Sequence, residues 1–402
     1  MPHRVSILVA LSVCVGCADA AVVPDPDSRE SGPPTIDEGK VTESDAGPVS
    51  TVPDAGSPPK APPSGGTQPG DTPVATGADA AVGPLVDAAG QVPGDTDGAA
   101  SPTVPVYPPL QASQLGMPVA VVKGFSLAEG ALWEHCTGTL LFTDVDVAKM
   151  HRLTPPSMVT LLHTDTNYAN GLAFDPSGAL WRAEMGGGPE GSRVAKVDAS
   201  GAREVSIDKT ATGAAFHNPD DLVFRSDGTL YFTDPTFEHG PHGANSLSSR
   251  PIYRVTPESQ GLKVIKETEF PGPNGIELSP DEKTLYISSY HGDELASYAI
   301  APDGSLSNRK TLRGGLNHAD SLCVDVAGNL YVGVDRGLRV LRADGTVIGT
   351  IPVASPDGVT NCEFGGDDGK TLYITAWTTI WKIEGLPFPG AQWQRHKDLP
   401  CP

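Results

Sequence analysis

The chain has 402 residues, a net charge of −21 and only 19% charged residues, and its composition divides it unevenly. Between Ala18 and Leu110 stand 18 Pro and 12 Gly among 93 residues, with 14 Asp or Glu against 3 Lys or Arg and no aromatic residue before Tyr107. Such a stretch cannot bury enough apolar surface to offset its ordering entropy, so 18–111 reads as a disordered, extended spacer. The acidity excludes nucleic acid as a partner, because phosphate binding needs a basic footprint. It suits solubility and cation binding instead.

In chain order, the first element is an export signal over residues 1–17. Met1 to Arg4 is a short basic start, and Val5 to Gly16 is an apolar run of a dozen residues. That run is too short to cross a bilayer and has the length of a signal-peptide core. It ends in Cys14-Val15-Gly16-Cys17, which resembles a bacterial lipobox with Cys17 as the lipidated mature N-terminus. Ordinary cleavage after Ala18-Asp19-Ala20 is the alternative. With Ala18 behind Cys17, the expected place is the outer membrane, otherwise the periplasm or the medium. Any contact with a membrane would then run through the N-terminal lipid alone.

Residues 112–402 are long enough for one large all-β domain. Six polar residues in it each stand four places ahead of an apolar residue: Glu129, Asn170, Asp220, Asn274, Asp320 and Thr360. Each opens a strand-like run, EGALW, NGLAF, DDLVF, NGIEL, DSLCV and TNCEF, and the spacings are 41, 50, 54, 46 and 40 residues. A repeat of that length is the mark of propeller blades. A second run follows each, marked by Leu140-Leu141, Leu180-Trp181, Leu230-Tyr231, Leu285-Tyr286, Leu330-Tyr331 and Leu372-Tyr373. The turns between carry hairpin chemistry, as in DPSG, RSDG and DVAGN. Third runs such as SRVAKVD and RPIYRV, and weaker fourth runs such as REVSID and LKVIKE, complete the repeats. These repeats predict a six-bladed β-propeller. The sixth repeat lacks its own outer strand, and MPVAVVK at 117–123 is placed to supply it and close the ring. The largest interruption, Pro235 to Arg250, reads as a loop near the ring's mouth.

Closure would bring the early Cys136 and the terminal Cys401 together, so a disulfide between them is one reading and buried free thiols the other. Cys323 and Cys362, in equivalent strands of neighbouring repeats, are expected to be buried free thiols.

The starts of the inner strands would converge at one end of the channel. Three carboxylates there (Glu129, Asp220, Asp320), two amides (Asn170, Asn274) and one hydroxyl (Thr360) would repel unless a cation neutralises them. All-oxygen donors suit Ca²⁺, with Mg²⁺ demanding stricter geometry, and no His/Cys cluster has zinc spacing. Mn²⁺ and Zn²⁺ stay open as further cations. On pattern alone, capped turns explain the same residues nearly as well. Asp144 and Asp234 read as turn caps, and His217, His239 and His242 as solvated loop residues.

Residues 117–385 resemble the regucalcin–gluconolactonase family of six-bladed, calcium-dependent propellers. The matching stretches are FSLAEGALW, YANGLAFDPSGALW, HNPDDLVFRSDGTLYFTDP, PNGIELSPDEKTLYIS, ADSLCVDVAGNLYVG and VTNCEFGGDDGKTLYITA. The resemblance implies a metal held by Glu129, Asn274 and Asp320. It implies a fourth position at Asp220, where the family usually has Asn. Asp320 is the implied catalytic base acting on water, or else a direct nucleophile. Asn218, Glu238 and His239 lie where relatives contact sugar hydroxyls, with Asn170 and Thr360 as further substrate contacts. The implied activity is hydrolysis of a sugar lactone or similar small-molecule lactone by a monomer. Hydrolysis of other esters, phosphorus esters included, is one alternative, and a tethered ligand-binding propeller without turnover is another. No Gly-x-Ser-x-Gly elbow is present, which argues against a serine hydrolase.

Overall fold

The computed structural model describes residues 105–186, 191–235, 251–258 and 261–401. The first repeat gives β1 (Val119–Glu134), β2 (Thr139–Asp144), β3 (Lys149–Thr154) and β4 (Met158–His163). The second gives β5 (Ala169–Phe174), β6 (Leu180–Glu184), β7 (Arg193–Val197) and β8 (Arg203–Ile207). The third gives β9 (Leu222–Phe224), β10 (Leu230–Thr233), β11 (Pro251–Glu258) and β12 (Gly261–Glu269). The fourth gives β13 (Pro273–Leu278), β14 (Thr284–Ser289), β15 (Glu294–Ile300) and β16 (Leu306–Gly314). The fifth gives β17 (Leu322–Val324), β18 (Leu330–Val334), β19 (Gly337–Leu341) and β20 (Val347–Pro352). The sixth gives β21 (Asn361–Gly365) and β22 (Thr371–Ile383), and a short helix, α1 (Ala391–His396), follows.

This is an all-β, propeller-like fold, and its hydrogen bonding divides it into five sheets where six were expected. Four sheets have four strands, and one has six in the order β21-β22-β1-β2-β3-β4. The merger has a local cause. Residues 119–128 of β1 pair with β22, and residues 128–134 pair with β2. β22 likewise pairs through 371–375 with β21 and through 377–382 with β1. Trp377, at φ +52°, marks its change of partner. The first and sixth repeats therefore share one ladder through the strand that the sequence places as the closing piece. The inner strands β1, β5, β9, β13, β17 and β21 touch in cyclic order, and β21 meets β1 again.

The second strand of each repeat is largely buried on both faces, and most of its residues are apolar or small, with the buried Arg182 and Glu184 of β6 among the charged exceptions. Side chains alternate across it. In β10, Leu230 and Phe232 pack with Trp181 and Phe224, whereas Tyr231 packs with Ile276 and Ile287 of the next sheet. Each such buried side chain contributes roughly 1.5–3 kcal/mol. The turns obey one rule. Asp175 Oδ1 accepts the Ser177 and Ala179 N–H groups at 2.8 and 3.1 Å, and Asp325 Oδ1 accepts those of Ala327 and Asn329 at 2.9 Å each. Gly178 and Gly328 then take the left-handed conformation that lets the hairpin close, at φ +83° and +82°.

Packing begins ahead of residue 112. Leu110 is buried, and Tyr107 meets Phe388 edge-on with ring centroids 5.4 Å apart. Cys136 and Cys401 are disulfide-bonded, joining the first hairpin to the chain's end. Cys323 and Cys362 are also bonded, which corrects the expectation of free thiols. Equivalent positions on adjacent inner strands bring their Cα atoms to 5.8 Å, inside the bridging range.

Candidate metal centre at the channel mouth

Six hydrogen bonds between neighbouring repeats set the mouth. Thr143 Oγ1 donates to Asn170 O at 3.0 Å, and Gly171 N donates to Asp220 O at 2.7 Å. Thr233 Oγ1 donates to Asn274 O at 2.6 Å, and Ser288 Oγ donates to Asp320 O. Ser321 N donates to Thr360 O at 3.1 Å, and Thr360 Oγ1 donates to Ala128 O, beside Glu129, at 2.7 Å. The circuit closes, so each of the six strand-opening residues is tied to the repeat before it.

Local irregularities aim the side chains. Ladder register shifts between Glu129 and Leu132, between Ala169 and Leu172, and between Pro273 and Ile276. Bulges of this kind redirect a side chain where a site needs it. The third, fifth and sixth inner strands begin just after Asp220, Asp320 and Thr360, whose N–H groups bond Thr233 O, Gly333 O and Thr375 O at 3.0 Å each. The glycines of the two Asn-Gly pairs are there for close approach and not for turning. A Cβ at Gly275 would stand 2.4 Å from Ser321 Cα.

Among the described residues the carboxylates meet one another without a lysine or arginine partner. Burial pushes the Glu129 carboxyl well above its ordinary range, and the Asp320 and Asp221 charges push the same way. Asp220 is raised by burial and by Glu129 and Asp221. Asp320 is raised by burial and by Asp220 and Asp221. Each carboxylate receives one neutral amide: Glu129 from Asn361, Asp220 from Asn170 at 2.7 Å, and Asp320 from Asn274. Glu129 and Asp220 are 5% and 2% exposed, whereas Asp320 is half-buried, so bulk water reaches the mouth at Asp320 and screens the other two little. Among the described residues no three Asp, Glu, His or Cys side chains form a ready metal cage. The mouth is a mixed set in which carboxylates alternate with amide groups. Uncompensated buried carboxylates with amide oxygens beside them fit a hard divalent cation.

The remaining candidates separate by position. Thr360 is 1% exposed, with its hydroxyl spent on Ala128 O and close to Thr375 Oγ1 at 2.9 Å. It braces strands. Asn218 is buried, its Nδ2 donating to Met185 O at 3.4 Å. His217 is buried and not solvated. Asp234 caps the turn before the ring, its Oδ1 accepting the His217 and Asn218 N–H groups at 2.9 and 2.8 Å, and Asp144 caps Ser126 and Leu127 in the same way. Glu184 is fully buried against Arg182, at 2.6 Å, and Arg203, at 2.9 Å. Cys17, Glu238, His239 and His242 lie outside the described residues.

Sequence reasoning missed a second acidic group farther along the inner strands. Asp221, Glu277 and Glu363 line a small polar cavity with Ser321, Asn361 and Gln392. Arg395 of α1 reaches Glu277 Oε1 at 2.7 Å. Glu277 and Glu363 each sit three places after a ring residue, a signal available in the repeats. A larger cavity of about 350 Å³, lined by Trp181, Phe224 and the turns at Asp175 and Asp227, includes no ring residue.

Fold and site together define a propeller-like protein with an acidic, amide-lined channel mouth. The family described as SMP-30/Gluconolactonase/LRE-like region matches residues 127–378, and the chain belongs to that family. A gluconolactonase of Zymomonas mobilis is 28% identical over 305 residues, covering 67% of this chain and 82% of that relative. The regucalcin of Oryctolagus cuniculus is 26% identical over 263 residues, covering 61% of this chain and 82% of that one. Among solved structures, a gluconolactonase from Xanthomonas campestris aligns with a TM-score of 0.60 at 28% identity, over 68% of this chain and 89% of its own.

Proposed function

We propose that this protein is a lactone hydrolase that depends on a divalent cation, with Ca²⁺ as the ion and a sugar lactone or similar lactone as the substrate. The observation that carries the reading is the mouth itself: three carboxylates brought together and raised by burial and by one another, with amides beside them and, among the described residues, no lysine or arginine paired with them. Glu129, Asp220, Asn274 and Asp320 would hold the ion. Bound there, a cation supplies polarisation of the lactone carbonyl and charge for the developing oxyanion. Asp320 takes the proton from the attacking water and returns it to the ring oxygen as the acyl C–O bond breaks. Asn170 orients Asp220 through their 2.7 Å hydrogen bond. The all-oxygen donors favour Ca²⁺, then Mg²⁺ or Mn²⁺, over Zn²⁺.

The cyclic contact of six inner strands supports counting six blades, the first and sixth joined through β1. Export as a lipoprotein anchored at Cys17, with the Pro-rich spacer read at 18–111 as its tether, belongs to the same reading and rests on the sequence. Labelling with radioactive palmitate should mark the wild type and not Cys17→Ser.

The test of the activity is acid release, followed by pH-stat, when the full chain meets a panel of aldonolactones and aliphatic lactones. Turnover of at least one is expected. Absence of acid release from all of them would overturn the reading.

A further inference from the structure

The position after each ring residue holds Gly130, Gly171, Asp221, Gly275, Ser321 and Asn361. Asp221 is the charged member of that set, and both its oxygens are engaged. Oδ1 accepts the Leu222 N–H at 2.9 Å. Oδ2 accepts the Ser321 Oγ–H at 2.7 Å and the Ile276 N–H at 3.3 Å. On its other side the carboxylate lies against Gly171, where an added Cβ would stand 2.6 Å from Asp221 Oδ1.

One side chain thus touches β5, β9, β13 and the residue just ahead of β17. Each contact falls within two residues of a ring member. Gly171 follows Asn170, Leu222 lies two past Asp220, Ile276 lies two past Asn274, and Ser321 follows Asp320. A carboxylate suits the task because it accepts on every face, whereas an amide of the same size turns N–H donors toward one of these partners. The glycine at 171 leaves the room that the carboxylate fills.

We propose that Asp221 is a positioning residue that sets the spacing of Asn170, Asp220, Asn274 and Asp320, and through them the affinity of the mouth for its cation, without touching the ion. This rests on the cation reading above. Its partner in the task is Ser321.

The test is calorimetric titration of the metal-free full chain with Ca²⁺ at 25 °C, for wild type, Asp221→Asn, Ser321→Ala and the double variant, beside the melting temperature of each without metal. Expected are about tenfold weaker binding for Asp221→Asn and about threefold for Ser321→Ala, from loss of a hydrogen bond to a charged group. The double variant should bind about as Asp221→Asn does, because the two act through one contact. Ca²⁺ affinity equal to wild type in Asp221→Asn, with only its melting lowered, would overturn the proposal and leave a fold brace. Abolished binding in Asp221→Asn with Ser321→Ala unaffected would also overturn it, by making Asp221 a ligand. If Asp221→Asn does not fold, Ser321→Ala decides, and unaltered affinity there counts against the proposal. A wild type that binds no Ca²⁺ would overturn the cation reading itself, and this inference with it.

Discussion

At the mouth, Asp320 is proposed both to lie beside a cation and to take a proton. Replacing it by Asn keeps the size and removes the base. Asp320→Asn is expected to lower kcat by at least about a hundredfold, with an unchanged circular dichroism spectrum. Asp220 is one of three carboxylates at the mouth, so Asp220→Asn removes a charge without emptying the site. Ca²⁺ affinity is expected to fall by roughly tenfold, corresponding to about 1.4 kcal/mol, while the protein stays folded. Farther back, Asp234 is raised by burial to about 7, against an ordinary 3.8. A raised carboxylate binds its proton more tightly in the folded than in the unfolded chain. The stability it contributes is complete below its ordinary value and is lost as pH rises through about 7. In chelator, the wild type's melting temperature should therefore decline more steeply than that of Asp234→Asn between about pH 4 and 7. Parallel curves would remove Asp234 from that role.

At the level of strands and turns, much was legible in the residues. The four-place step from Glu129 to Trp133 and its five counterparts found the inner strands, to within two residues of the start in all but β1, where Glu129 lies inside a longer strand, and MPVAVVK supplied the closing strand. Three features escaped. The closing strand was legible, but not that it runs unbroken from Val119 to Glu134 and merges the first and sixth repeats into one sheet, because periodicity does not carry edge pairing. The Cys323–Cys362 bond depends on the approach of two strands whose spacing along the chain, 39 residues, says only that they are equivalent. Asp221 escaped because an acid after Pro-Asp looks like turn chemistry, and its partners Ile276 and Ser321 come from other repeats. The Cys136–Cys401 bond spans 265 residues, and cross-links over long loops typically contribute about 2–4 kcal/mol. Cys136→Ser with Cys401→Ser should lose that much in denaturant melts, and an unchanged midpoint would count against a structural staple. Gly171→Ala should lower stability and Ca²⁺ affinity together, because its Cβ enters the space of Asp221 Oδ1 and Asp220 O.

Over the whole molecule, the charge of −21 and the mouth act in the same direction. Glu129, Asp220 and Asp320 hold protons above the ordinary carboxylate range, and a cation must displace those protons to bind. The rise in melting temperature caused by Ca²⁺ should therefore grow as pH increases from about 5 to about 8. Four strand-opening residues gathered from the length of the chain, Glu129, Asp220, Asn274 and Asp320, are proposed to hold the cation that opens lactones. The most direct test of this is the pH-stat rate on the best lactone after exhaustive chelation and again after Ca²⁺ is restored. The rate should fall to background and return at about one Ca²⁺ per chain; a rate that chelation leaves unchanged would contradict the account.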